Sequence, residues 1–465
     1  MIGLAAALLA LPVGGPAWGD DRREEARRAE REFAEVQLFA GGRGLHITPG
    51  LYHLYDLVER PEFPLDFGWA FRWLGFHLEG RRVAGLFGVD YRGSRVGVLG
   101  CAGCHSGRAA GRSIVGLGNK TIDVALVAAV VQAFARPFQW TEAFFPEHDR
   151  RLIEDMAAFT ETLRDPRRAN RTRGLVPIAM IQHWFYRQAG RAMPVDLPAA
   201  WVKVPHLWGY GEKRRAGLFS DGFGDGAEPG WAAMVELAGG QTAEAVRRYR
   251  DRLEEVEAGL ERLLPPPYPF AIDAERAAHG RRVFARVCAS CHGNYRRDAQ
   301  GLPVFEEPRH IAWEAVGTDP ERLRCVTPEF RYLVATSPLA DMVRGLPRPA
   351  GYFAPRLEGV WARFPYLHNA SVPTIHALLS EPAERPQAFS LGEAGEWHRF
   401  DPEALGVAAP ARGSEEEAAL LRWARRGWRS VYWTARPGHS NQGHAFGVSL
   451  PESDKKALIE YLKTL

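Results

Sequence analysis

The sequence predicts a mainly α chain of two domains joined by a short linker, with long loops and little β-structure. Three observations predict it. Apolar residues recur at helical spacing, as in Ala277, Gly280, Phe284 and Val287, and again in Ala457, Leu458, Tyr461, Leu462 and Leu465. The stretch Leu264-Pro265-Pro266-Pro267-Tyr268-Pro269 ends any element running into it, so 265–270 reads as a Pro-rich linker. The pentad Cys-x-x-Cys-His stands once on each side of that linker, as Cys101-Ala102-Gly103-Cys104-His105 and as Cys288-Ala289-Ser290-Cys291-His292.

The pentad carries the chemistry. Cys-x-x-Cys followed at once by His is the signature of covalent c-type haem attachment. Both thiols add across haem vinyl groups and become thioethers, and their spacing puts the sulfurs on one edge of a short helical turn. The histidine meets the iron from the same side as its proximal ligand. Two such copies in a chain of five cysteines predict two covalently bound c-type haems. Cys101, Cys104, Cys288 and Cys291 would bind them, and His105 and His292 would sit on the irons. No other cysteine remains to form a disulfide with Cys325, which reads as a small buried apolar side chain.

In chain order, residues 1–19 read as a signal peptide. The apolar run Ile2–Val13 is too short to span a bilayer, and Ala17-Trp18-Gly19 offers small residues for cleavage, although no Lys or Arg precedes the run. Residues 20–264 form the N-terminal haem domain. It opens with an Arg- and Glu-rich solvated helix over 21–36. An alternating segment over Val83–Val98 predicts a hairpin leading into the first pentad. A glycine loop (Gly111, Gly116, Gly118) and an apolar helix over Asn119–Phe134 follow, and Thr242 caps a helix running to about Leu264. Residues 271–465 form a C-terminal cytochrome c domain. Asp273 caps a helix running straight into Cys288, and Pro451 opens a terminal helix that crosses the first. Gly280 lets the two backbones come close.

Net charge is +3, with 59 basic against 56 acidic residues, so composition gives no reason to expect nucleic acid. No segment after the leader has eighteen uninterrupted apolar residues, so no membrane span is expected in the mature chain. The expected location is the periplasm or outside the cell, where c-type haem is attached. Fourteen Trp, thirteen Tyr and twenty-four Phe suit both a core and flat apolar cofactors.

The ligand opposite each proximal histidine decides whether an iron passes electrons or meets a substrate. For the second haem the candidates are Met342, His368, His376, His398, His439 and His444. The glycines of Asn441-Gln442-Gly443-His444 let that loop approach a ring. For the first haem no motif announces a ligand.

The segment Gly359-Val360-Trp361-Ala362-Arg363-Phe364-Pro365-Tyr366-Leu367-His368-Asn369-Ala370-Ser371-Val372-Pro373-Thr374 resembles one found in the dihaem cytochromes that group bacterial cytochrome c peroxidases with rubber oxygenases. Val316–Pro320, Thr327–Phe330, Arg385-Pro386, Phe400–Pro402 and Pro437–His444 extend the resemblance. It is weaker over 96–225, where Pro205-His206-Leu207-Trp208 contributes. Ala370 replaces a usual Gly, and His439 replaces an Asn of the rubber-oxygenase branch. The resemblance implies proximal ligands at His105 and His292, and bis-histidine ligation of the second haem through His444. It also implies a supporting role for His368 beside that haem and an open, reactive first haem. Trp208 and Phe223 would be the aromatics near that open haem. The peroxidase branch, with Met on one iron and a removable His on the other, fits poorly. The chain is shorter than a rubber oxygenase, so rubber cleavage is not expected.

The expectation is a periplasmic or secreted dihaem c-type cytochrome with redox activity. A redox partner protein or small donor would supply electrons, and peroxide, dioxygen or an organic substrate would react at the first iron. This would make it a dihaem peroxidase or an oxygenase-type oxidoreductase. Two alternatives stay open. In a pure electron carrier, His46, His53, His77, His183, Met156, Met180 or Met193 would close the first iron. In a gas binder, a diatomic would be held there without turnover.

Overall fold

The computed structural model describes residues 68–91, 94–135, 172–209, 259–297, 303–305, 310–340, 351–392 and 399–465, with positions 24, 27, 28 and 45–47 near the N-terminus. The predicted leader, most of the helix over 21–36, nearly all of the helix from Thr242, and Phe223, His53, Met156, Met342 and His398 lie outside the described residues.

The prediction of a mainly α chain with little β-structure is corrected. Among the described residues, strands pair into one three-stranded and seven two-stranded sheets, interleaved with the helices through both halves. The physical reason is visible where a loop was expected after the first pentad. Backbone N–H and C=O groups running through an interior must pair, and a short antiparallel ladder pairs them locally. Ser106–Ala109 accordingly pairs with Arg112–Val115. Ala110 (φ 44°) and Gly111 (φ 83°) make the turn, the left-handed pair that a tight hairpin needs.

The predicted hairpin before the first pentad is present. Leu86–Tyr91 pairs with Ser94–Leu99, and Leu45–Ile47 adds a third strand. The helix expected over 119–134 starts later, at Val124. Asn119 instead holds a turn, its Oδ1 accepting from the backbone N–H groups of Thr121 and Ile122.

In the second half, the Asp273 carboxylate accepts from the Arg276 N–H and caps the helix Ala274–Val287. That helix crosses the terminal helix Glu452–Leu462 at Gly280, where a Cβ would collide with the Ala457 carbonyl. Ala457, Leu458, Ile459, Tyr461 and Leu462 are all buried.

One apolar core takes residues from both sides of the Pro-rich stretch, among them Leu175, Phe185, Trp208, Phe284, Phe330 and Trp361. The stretch itself is packed into this core. Leu263 and Tyr268 are buried, and the Trp361 indole donates to the Pro266 carbonyl at 2.8 Å. Among the described residues, no helix is long and apolar enough to cross a membrane.

Candidate functional site

The second pentad begins where the capped helix ends. Cys288 closes Ala274–Val287, and Ala289–His292 forms a further turn that stops at Gly293 (φ 68°). Cys288 and Cys291 are free, half-buried thiols, and burial pushes Cys288 up to about 12. His292 points Nδ1 at the Pro355 carbonyl, 3.0 Å away. An Nδ1–H donated to that carbonyl leaves the Nε2 lone pair for a metal.

His444 stands opposite, its ring centroid 6.2 Å from that of His292. Two metal–imidazole bonds of about 2 Å, plus about 1 Å from each nitrogen to its ring centre, also give about 6 Å. Burial, then His292, pull His444 down to about 3, so both rings are held as neutral donors. His444 Nδ1 is buried with no hydrogen-bond partner among the described residues.

His444 has a left-handed backbone (φ 47°), which a non-glycine residue keeps only where its surroundings impose it. Several bonds do so here. The His444 N–H donates to the Val316 carbonyl at 2.6 Å. The fully buried Arg385 guanidinium donates to the carbonyls of Asn441 (2.6 Å), Gly443 (2.8 Å) and His444 (3.3 Å). Asn369 donates to Gly438 and Ser440, and Asp319 accepts from the Ser440 N–H. Gly443 packs on Gly317 with no room for a Cβ.

The first pentad repeats the proximal half of this arrangement. Cys101–Cys104 is a single helical turn, and the Cys101 side chain lies outside the described residues. Burial pushes the Cys104 thiol up to about 11. His105 points Nδ1 at the Pro205 carbonyl, 2.9 Å away, and burial draws it down to about 4. Among the described residues, no second imidazole faces His105 as His444 faces His292. His77 is buried and drawn down to about 4 by burial and by Arg108 and Lys120.

The two anchoring prolines head matching turns, Pro205-His206-Leu207-Trp208-Gly209 and Pro355-Arg356-Leu357-Glu358-Gly359. Each follows a short strand, and each ends at a glycine with positive φ (69° and 64°). The turns touch. Trp208, 2% exposed, donates its indole N–H to the Glu358 carbonyl at 2.8 Å and packs on Gly359. Trp208 therefore lies between the two proximal supports.

His368 stacks on Tyr352, with centroids 5.6 Å apart, close to the Pro355 turn. His376 is at the surface against Glu452, 3.0 Å away, and His439 is fully buried against Tyr432. Cys325 is fully buried. Sequence reasoning gave no role to Pro205, Pro355 or Arg385. The repeated Pro-x-Leu-x-Gly was the signal available for the prolines.

Residues 351–390, which hold the Pro355 turn and His368, match a family described as RoxA-like, cytochrome c-like. The chain is 31% identical over 275 residues to the uncharacterized protein y4iJ of Sinorhizobium fredii (strain NBRC 101917 / NGR234), covering 45% of this chain and 42% of that protein. It is 28% identical over 250 residues to y4iM of the same strain, covering 44% of this chain and 52% of that protein. The matched part thus spans about half the length of these relatives. The matched segment is similar to a cytochrome c-like domain, which supports covalently bound c-type haem and a redox function.

Proposed function

We propose that the chain is an exported dihaem c-type cytochrome in which the two irons have different tasks. The opposition of His292 and His444 at 6.2 Å carries this reading. Bound there, a haem supplies a one-electron centre. The residues supply its surroundings. Pro355 orients His292, Arg385 and Val316 fix the loop that presents His444, and burial keeps both imidazoles uncharged. At the first pentad, Pro205 orients His105 in the same way. An iron held there with an accessible far side is the candidate place for peroxide or dioxygen, with electrons arriving from a partner protein or small donor through the second site.

Low-temperature EPR of the oxidised holoprotein tests the proposal. One low-spin signal together with a high-spin signal near g of about 6 is expected. Two low-spin signals alone would make the chain an electron carrier. Intact mass of the exported protein, showing two added haems or fewer, tests the number of cofactors separately.

A further inference from the structure

A small cleft lies beside the first pentad's turn, and Lys120, Lys203, Arg173 and Arg363 are among the residues lining it. Among the described residues, no carboxylate lines it. Lys120 donates to the Ala362 carbonyl at 2.6 Å and rests 3.2 Å from the centre of the Phe364 ring. Lys203 donates to the Arg363 and Pro365 carbonyls, both at 2.9 Å. Among the described residues, neither ammonium has a carboxylate within ion-pair distance. Arg363 donates through one terminal nitrogen to the Arg356 carbonyl, and its Nε is buried with no hydrogen-bond partner among the described residues.

Carbonyl oxygens solvate a cation but do not cancel its charge, and uncompensated charge in a buried setting is costly. The cost is visible at both lysines. Burial, then Lys203, lowers Lys120 well below the usual ammonium range, and burial, then Arg363, brings Lys203 down to about 7. Converging ammonium and guanidinium groups with donors to spare are suited to a carboxylate.

The place of the cleft narrows the source. Lys120 follows Asn119, whose N–H donates to the Cys104 carbonyl at 2.7 Å and whose side chain donates to the Gly103 carbonyl. Lys203 stands two residues before Pro205, the anchor of His105. We propose that this cleft binds a carboxylate through Lys120, Lys203 and Arg363, and that the carboxylate is a propionate of the haem on the first pentad. The proposal rests on the dihaem reading.

The test uses the holoprotein, with both haems confirmed by intact mass, so that a missing haem counts against the dihaem reading and not against the cleft. The reduction potential of each haem is followed against pH in the wild type, K203Q, R363Q and K203R. A cation beside a carboxylate favours its ionised form by about one to three pH units. In K203Q and R363Q the pH-dependent step of one haem should therefore move upward by about one unit or more. K203R should keep the wild-type step, which separates lost charge from damaged folding. Octanoate, followed by calorimetry, serves as the free-carboxylate probe and should not bind the wild type. If octanoate binds the wild type but not K203Q, with both pH steps unmoved, the cleft takes a free carboxylate and the propionate assignment falls. Unmoved steps without octanoate binding overturn the whole proposal.

Discussion

The two pentads share their proximal support and differ in almost everything else. Each histidine is oriented by a proline carbonyl at 2.9–3.0 Å, on a turn of the same pattern. Ahead of the second pentad runs a capped fourteen-residue helix locked at Gly280 against the terminal helix. Ahead of the first runs a strand hairpin. Opposite the second stands an imidazole on a strained, clamped loop, whereas no described imidazole stands opposite the first. A proline carbonyl that orients the histidine is thus common to both pentads, and what faces that histidine is where the two differ.

Removing the distinguishing imidazole should have the largest effect. H444A should turn the low-spin EPR signal of the second haem into a high-spin one, making the second site resemble the first, while the first site's spectrum stays unchanged. A variant that keeps its low-spin signal would assign that signal to another ligand.

R385M comes next. It leaves the buried carbonyls of Asn441, Gly443 and His444 without their donor, so a loss of about 3 kcal/mol in unfolding free energy is expected, with a mixed-spin second haem. Chemical denaturation and EPR on one preparation would show whether loop stability and ligation fall together.

G280A should cost about 1–3 kcal/mol by forcing apart the crossing helices, and it should leave the pH-dependent step of the first haem in place. Thermal unfolding reads the first effect and potentiometry the second.

The smallest effect concerns pH. Burial, then Asp319, raises Glu321 to about 7 from an ordinary 4.5. Because the folded value is the higher one, the stability Glu321 contributes is complete below 4.5 and is lost as pH rises through about 7. E321Q should flatten the melting temperature across that window, and an unchanged slope would assign it to another group.

The second half was the more legible in the sequence because its determinants are local. Asp273 caps its own helix, Gly280 sits within the apolar stripe it serves, and His444 follows a glycine that must pack on Gly317. The rest was hidden because it depends on backbone atoms far along the chain. The Pro205 carbonyl serves a histidine a hundred positions away, and each Arg385 bond goes to a carbonyl that any residue could provide. The glycines after His105 signal a turn without saying that the flanking segments pair, so the hairpin there is not legible in the sequence. Lys120 and Lys203, separated by eighty positions or more, form no pattern in the sequence until folding brings them to one cleft.

The prolines at 265–267 look like an easy place to cut the molecule in two. With Tyr268 buried, Trp361 bonded to Pro266 and Trp208 wedged against Gly359, each fragment would carry away part of the other's interior. Both halves should therefore melt in a single transition, and a protease acting between them would yield a nicked complex before it yielded two free fragments.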